Sequence, residues 1–297
     1  MKVLIAGGTG TVGTCVMRAL LESGHHTRIL TRSPERAGPL PDGAAAVRGD
    51  LESPASLEAA FDGAEAVFLA TPLHPDEAQL GLNAVRAAMH ARARYVVYLS
   101  VHHAGRLAHI PHFASKLPVE ERLHTSGLPF TILRPNNFFQ NDLRLREPIA
   151  GHGVYPQPLS EKGISRVDVR DIADAAVAVL TRPGHEGKTY ALVGPQALTG
   201  EEVAAAFARH LRRGVRYIGA DLDGWEQNAR RMLPEWMVRD LRLMYAHFLE
   251  HGLAATPEEV AALTELLGRP PRKFEDFAAE CAAAWRSPGA GDQAARP

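Results

Sequence analysis

With 297 residues and a formal net charge of −1, the chain is long enough for one large α/β domain, or for one such domain with a smaller lobe, and needs no external staple for its core. Two cysteines, Cys15 and Cys281, exclude a disulfide-framed secreted scaffold, and basic residues scattered along the chain rather than gathered into a stripe argue against nucleic acid as a partner. The apolar run Met1–Ala6 is too short for a signal peptide, and no later stretch approaches the roughly 20 apolar residues of a membrane span, so a cytoplasmic protein with a small-molecule substrate is expected.

Val3–Ala6 reads as the first strand, and Gly7-Gly8-Thr9-Gly10-Thr11-Val12-Gly13 follows it directly. The glycines fit both GxxGxxG (Gly7, Gly10, Gly13) and GxGxxG (Gly8, Gly10, Gly13). Between a strand and a helix, such glycines let the chain turn tightly and let its backbone approach a pyrophosphate, while the helix N-terminus offers unpaired N–H groups and the positive end of its dipole. Gly7, Thr9, Gly10, Thr11, Val12 and Gly13 are therefore candidate dinucleotide contacts. A helix over Thr14–Ser23, stopped by Gly24, leads to a strand over Thr27–Thr31 that runs into Arg32-Ser33-Pro34-Glu35-Arg36. A site built for NAD places an acid there for the ribose 2′-hydroxyl, whereas a guanidinium suits a 2′-phosphate. Arg32, with Arg36 or Ser33 beside it, thus points to NADP(H) ahead of NAD(H), and Glu35 is the discordant residue. After a strand at Ala45–Val47 comes Asp50-Leu51, where Asp50 either accepts from the adenine amino group or caps a turn.

Helices at Ser56–Phe61, Glu77–His90 and His112–Ser126 alternate with strands at Ala66–Ala70, Tyr95–Ser100 and Phe130–Leu133, and a last strand is expected at Thr189–Leu192. This alternation implies parallel βαβ units, and most of the strands are too uniformly apolar to have a solvent face. The expected class is α/β, a Rossmann-type doubly wound parallel sheet over residues 1–194, with some later segments returning to it. After Gly194 strand signals nearly vanish, and helical periodicity marks Glu201–Arg213, Trp225–Met232, Glu235–Glu250, Pro257–Leu267 and Phe274–Trp285. These make residues 195–286 a smaller, mostly helical substrate lobe, and residues 287–297, rich in Gly, Ala and Pro, an expected disordered tail.

Read in order, the glycine loop, Gly49-Asp50-Leu51, Tyr95–Ser100, Lys116, Thr131-Ile132-Leu133-Arg134-Pro135-Asn136-Asn137-Phe138 and Val167-Asp168-Val169-Arg170-Asp171-Ile172-Ala173 resemble the NmrA-like branch of the atypical short-chain dehydrogenases/reductases. The resemblance spans nearly the whole chain, including Gly268–Phe274 near its end. It implies an NADP-binding Rossmann domain with the glycine loop on the pyrophosphate, Arg32 near the 2′-phosphate, Asp50 and Leu51 near adenine, and Ala70 and Thr71 lining the nicotinamide side. It also implies one of two roles: reductases of quinones, azo compounds and related acceptors, or silent sensors that bind the dinucleotide and report its level.

Ordinary members of that superfamily carry a Tyr four residues before a Lys on one helix, where the Lys eases proton transfer from the Tyr. Here the stretch is His112-Phe113-Ala114-Ser115-Lys116, so the spacing survives while the acid has changed. A neighbouring ammonium disfavours an imidazolium, which makes His112 a modest proton donor at neutral pH. Hydride transfer to a quinone-like or conjugated acceptor needs less help from a protein acid, because the incipient anion is delocalised. Lys116 is the candidate for the nicotinamide ribose, and Ser100, at the end of its strand, for a substrate oxygen or a cap. Asn136 and Phe138 follow the next strand and are expected to line a cleft between sheet and lobe. His102, His103, His109 and His112 lie close together, but nothing completes a known ligand spacing and no metal is expected.

The leading expectation is an NADPH-dependent reductase of a small apolar carbonyl, quinone-like or conjugated acceptor, acting as a monomer or homodimer. A catalytically silent NADP(H) sensor that binds a partner protein is the alternative, with epimerase or lyase chemistry as a third.

Overall fold

A computed structural model describes residues 1–286, so the tail expected at 287–297 lies outside the described residues. The strands are β1 Lys2–Ala6, β2 His26–Thr31, β3 Ala44–Arg48, β4 Ala66–Leu69, β5 Tyr95–Leu99, β6 Phe130–Pro135, β7 Val154–Tyr155, β8 Thr189–Leu192 and β9 Arg216–Tyr217. The helices are α1 Thr11–Glu22, α2 Pro54–Phe61, α3 Glu77–His90, α4 Pro111–Ala114, α5 Leu117–Thr125, α6 Val169–Thr181, α7 Gly200–Leu211, α8 Leu222–Ala229, α9 Glu235–His251, α10 Pro257–Leu267 and α11 Phe274–Arg286. Among the described residues, no helix is long and apolar enough to cross a membrane.

The chain forms two compact units. The first holds Met1–Pro135, Val169–Leu192 and Glu265–Gly268, and the second holds, among the described residues, Asn136–Asp168, Val193–Thr264 and 269–286. In the first, a seven-stranded sheet runs in the order β3-β2-β1-β4-β5-β6-β8 with every neighbouring pair parallel, as the alternation of short apolar runs and longer helices requires. Strands β1, β4 and β5 are buried through almost their whole length, because α2, α3 and α5 cover one face while α1 and α6 pack together elsewhere in the unit. The alanine-rich β3 is the edge strand and stays half exposed.

Two local departures from expectation have clear causes. The helix expected over His112–Ser126 is broken into α4 and α5, with Lys116 as the residue preceding α5. Pro118, in the first turn of α5, has no N–H to give to the Ala114 carbonyl, and the ladder tightens there to a Lys116 N–H to Phe113 carbonyl bond. Helix α6 is not anticipated from the sequence. It is apolar over most of its circumference, with Ile172, Ala175, Ala176 and Val179 all buried, so only a narrow stripe of Arg170, Asp174 and Thr181 marks its period.

The second unit pairs β7 with β9 in parallel and packs α7 against α11 and α8 against α9. Its core is aromatic: Phe139 and Phe274 meet edge to face at 5.1 Å, and Phe207 stacks on Trp285 at 5.5 Å. Beside it, Arg166 and Asp142 are both wholly buried. All five guanidinium N–H donors find acceptors: Nε on Asn137 Oδ1, Nη1 on Asp142 Oδ2 and the Tyr155 hydroxyl, and Nη2 on Asp142 Oδ1 and the Phe138 carbonyl. Burial is the largest influence on the Arg166 pKa and works to lower it, but Asp142 together with Tyr155 and Tyr245 outweighs it and holds the guanidinium above its ordinary value. Burial also pushes the Asp142 carboxyl up in spite of Arg166. The guanidinium charge is the firm member of the pair, since every donor it has is satisfied.

Candidate functional site

Strands β1 to β3 build the sheet toward one edge and β4 onward toward the other, so the direction of construction reverses between β1 and β4. An open α/β sheet leaves its ligand crevice beyond the carboxyl ends of the strands at such a point. The register pairs Ala6 with Leu69, which brings the glycine loop beside Ala70 and Thr71.

The loop is built for close backbone approach. Gly7 has φ +85°, and a methyl there would stand 2.5 Å from the Ala70 carbonyl oxygen. A methyl on Gly13 would stand 2.2 Å from the Gly7 carbonyl oxygen, so α1 starts pressed against the turn that precedes it. The Gly10 N–H closes the turn on the Gly7 carbonyl at 3.0 Å. Gly10 is also the residue that caps α1, and it supplies no side-chain acceptor; the first turn carries no acid either. The N–H groups of Thr11, Val12 and Gly13 therefore face an anion's place without a competing side chain, and Thr9, Gly10 and Thr11 are exposed. This cradle, which added Cβ atoms would fill, fits the pyrophosphate of a dinucleotide.

Around the end of β2, Arg32 and Arg36 are exposed, and among the described residues no carboxylate is paired with either. The discordant Glu35 is taken by Arg48 of β3, whose Nη2 lies 2.9 Å from its Oε2 while Nη1 donates to the Arg32 carbonyl at 2.8 Å. A bond from its own backbone N–H, and then Arg48, hold the Glu35 carboxyl below its usual value. Arg48 was not singled out in the sequence, because nothing in one dimension relates it to a residue 13 positions away. Asp50 caps a turn, with Oδ1 accepting from the Glu52 N–H at 3.0 Å, which leaves its second oxygen for a ligand. The Leu51 carbonyl accepts from Asn83 at 2.8 Å.

The strongest polar cluster gathers on Glu77, in the first turn of α3 and 2 % exposed. One carboxylate oxygen accepts from Thr71 Oγ1 at 2.6 Å and from Lys116 Nζ, and the other accepts from Ser115 Oγ at 3.0 Å. Lys116 Nζ also donates to Thr71 Oγ1 at 3.0 Å and lies 5.9 Å from the centre of the Tyr98 ring. The Tyr98 hydroxyl is buried beside this group, near the Thr71 side chain but with no hydrogen bond of good geometry among the described residues. Burial, and then the Glu77 charge, push its pKa well above the ordinary tyrosine value, so it stays a neutral phenol.

Ser100 is buried at the end of β5 and donates its proton to Glu120 Oε1 at 2.5 Å. Arg134 grips both oxygens of that buried carboxylate, with Nε 2.9 Å from Oε1 and Nη2 2.5 Å from Oε2. What Ser100 has left for a ligand is its lone pairs. His112 is half-buried on α4 with its ring edge-on to Phe113 at 4.7 Å, and its carbonyl, 2.8 Å from the Ser115 hydroxyl, shares that single proton with Glu77. Ser115 and Lys116 keep right-handed helical backbone across the break, so His112 and Lys116 remain about one turn apart. In the second unit, Asn136 is buried, with its amide donating to the Leu253 carbonyl and accepting from the Asn137 N–H. Phe138 is half-buried. Glu77 and Glu120 escape sequence reading because an acid on a helix carries no mark of its partner, and only the fold brings Lys116 to the one and Arg134 to the other.

A family model described as "NmrA-like family" matches residues 1–278. The NAD(P)H azoreductase of Xenophilus azovorans is 35% identical over 285 residues, covering 95% of this chain and 99% of its own. A (4-alkanoyl-5-oxo-2,5-dihydrofuran-3-yl)methyl phosphate reductase of Streptomyces griseus is also 35% identical, over 95% of this chain and 99% of its own. In fold, the chain is like an NADPH-dependent quinone oxidoreductase of Escherichia coli solved with NADPH, with a TM-score of 0.83, 24% identity, and coverage of 94% of this chain and 99% of that one. With a sheet of this order, this glycine cradle and these matches along nearly its full length, the chain belongs to the NmrA-like family.

Proposed function

We propose that this chain is an NADPH-dependent reductase that delivers hydride to a small apolar carbonyl, quinone-like or conjugated acceptor. The observation that carries the reading is the uncapped start of α1 over a loop in which Gly7 and Gly13 admit no side chain, at the reversal point of the sheet, with Lys116 buried near by in the same unit. The reductase names of the two relatives at 35% identity support it and weigh against the silent sensor. In this reading Gly7, Thr9, Gly10, Thr11, Val12 and Gly13 hold the pyrophosphate, Arg32 the 2′-phosphate, Asp50 and Leu51 the adenine end, and Ala70, Thr71 and Lys116 the nicotinamide end. When bound, the reduced nicotinamide supplies the hydride. Lys116 has three N–H donors and gives two to Thr71 and Glu77, which leaves one for a ribose hydroxyl. His112 is assigned to polarise the acceptor, and Ser100, whose proton is committed to Glu120, serves at most as an acceptor of hydrogen bonds. Asn136 and Phe138 are assigned to the substrate. Because a quinone-like acceptor spreads the incoming charge over its own ring, water suffices to protonate it.

The test is a fluorescence titration with NADPH and with NADH, followed by a panel of quinones and azo compounds while the absorbance of the reduced cofactor is recorded. NADPH binding with acceptor-dependent oxidation is expected; failure to bind either dinucleotide would sink the reading, and binding without turnover across the panel would revive the sensor. Replacing Arg32 by Ala should weaken NADPH about tenfold, the low end for a charged hydrogen bond because the site is open to solvent. NADH affinity should stay unchanged, which separates a 2′-phosphate contact from general damage.

A further inference from the structure

Lys116 owes its setting to one acid. Two of its three donors have partners among the described residues, and both partners converge on Glu77: the carboxylate takes the ammonium directly and takes the hydroxyl of Thr71, which in turn accepts from the ammonium. The Ser115 hydroxyl, whose one proton is shared with the His112 carbonyl, lies against the other carboxylate oxygen at 3.0 Å, so both oxygens of Glu77 face donors of this cluster. Glu77 is also the first residue of α3, where the exposed N–H groups of a helix favour a negative charge. Lys116 is 8 % exposed, and a desolvated ammonium with no counter-ion gives up its proton or its place. The groups in contact with the cluster are neutral: Tyr98 from β5, Thr71 after β4, and Ser115 from the α4–α5 turn; the one other titratable side chain of α4, His112, lies about one turn away. Glu120 of α5 touches this set only through its field on Tyr98, and Arg134 and Ser100 already occupy its oxygens.

We propose that Glu77 is a positioning residue for the dinucleotide: from the start of α3 it keeps Lys116 charged and fixed against Thr71, so that one N–H of the ammonium is left for the ribose. The inference rests on the NADP(H) reading above. It assigns to a buried Glu–Lys pair the placement of charge that a Tyr–Lys pair performs when a tyrosine precedes the lysine by four residues.

The experiment measures NADPH dissociation constants for the wild-type chain, Glu77→Gln, Lys116→Met and the double variant, each between about pH 7 and 9.5, where an unpaired ammonium can lose its proton. Glu77→Gln should weaken NADPH about tenfold or more, with a loss that grows as pH rises, while the wild-type affinity changes little. In the Lys116→Met background, Glu77→Gln should cost nothing further, because Glu77 acts through Lys116. A structural role alone would lower Tm without bringing pH dependence into NADPH binding. Should Glu77→Gln not fold by itself, Lys116→Met against the double variant, in which both charges are gone, still decides: equal affinities support the proposal and a further loss overturns it. Wild-type affinity retained by Glu77→Gln across the pH range also overturns it, and overturns it alone. A wild-type chain that takes no NADPH removes the functional reading and this proposal together.

Discussion

Gly13→Ala should abolish measurable NADPH binding, a loss of at least about 100-fold, and should lower stability by about 1–3 kcal/mol, the range for a forced overpacking. The added methyl would sit 2.2 Å from the Gly7 carbonyl oxygen and 2.7 Å from the Gly8 Cα. Both obstacles are backbone, so no rotamer change relieves them; α1 must move off its loop, and the N–H groups at its start move with it. Gly10→Ala is the informative companion. There the nearest atom is 3.4 Å away and φ is −82°, so the methyl is accommodated. A smaller unfolded-state entropy favours Ala, and its poorer capping disfavours it, so stability should stay within about 1 kcal/mol. That methyl nevertheless stands on the open side of the loop, where a phosphate must come close, and NADPH should weaken tenfold or more, at the scale of one lost charged hydrogen bond of about 1.5–3 kcal/mol. Titration and thermal melting on the two variants separate collapse of the cradle from obstruction of its mouth. Gly10→Ala binding NADPH as tightly as wild type would remove the glycine loop from the cofactor site.

Asp142→Ala should be the most destabilising single change in the second unit, at about 3–5 kcal/mol, the cost of leaving a buried charge unpaired. Arg166 is wholly buried, and Asp142 takes two of its five donors while also accepting from Tyr155 at 3.1 Å. Nothing else in that cluster is anionic, since Asn137, Phe138 and Tyr155 offer only neutral acceptors. Replacing both partners by apolar residues, Asp142→Leu with Arg166→Met, should recover most of the loss, because desolvating a pair costs nearly what its attraction returns. Urea unfolding monitored by tryptophan fluorescence reads both variants. If Asp142→Ala melts with the wild type, Arg166 does not carry its charge where the geometry puts it.

Much of the fold was legible because its cause is local. Short apolar runs alternating with helical periods can be satisfied only by parallel strands covered on both faces, and Gly24, with φ +78°, ends α1 where its position predicts. The glycine loop was legible for the same reason: its residues are contiguous, and their constraint is the absence of a side chain. The break at Pro118 was written in the sequence too, and is hidden only because Lys116 and His112 keep their spacing across it.

The charge clusters were not legible. Glu77 lies 39 residues from Lys116, Glu120 lies 20 from Ser100 and 14 from Arg134, and Asp142 lies 24 from Arg166. No period relates such pairs; each is made by segments that meet only when their unit has folded. The sequence by itself determined where backbone can come close to a ligand and where an arginine follows the second strand, because glycine and guanidinium carry their properties wherever they stand. Only the tertiary structure decided which carboxylate each buried cation would own, since the energy of a buried charge depends on what surrounds it and not on what precedes it.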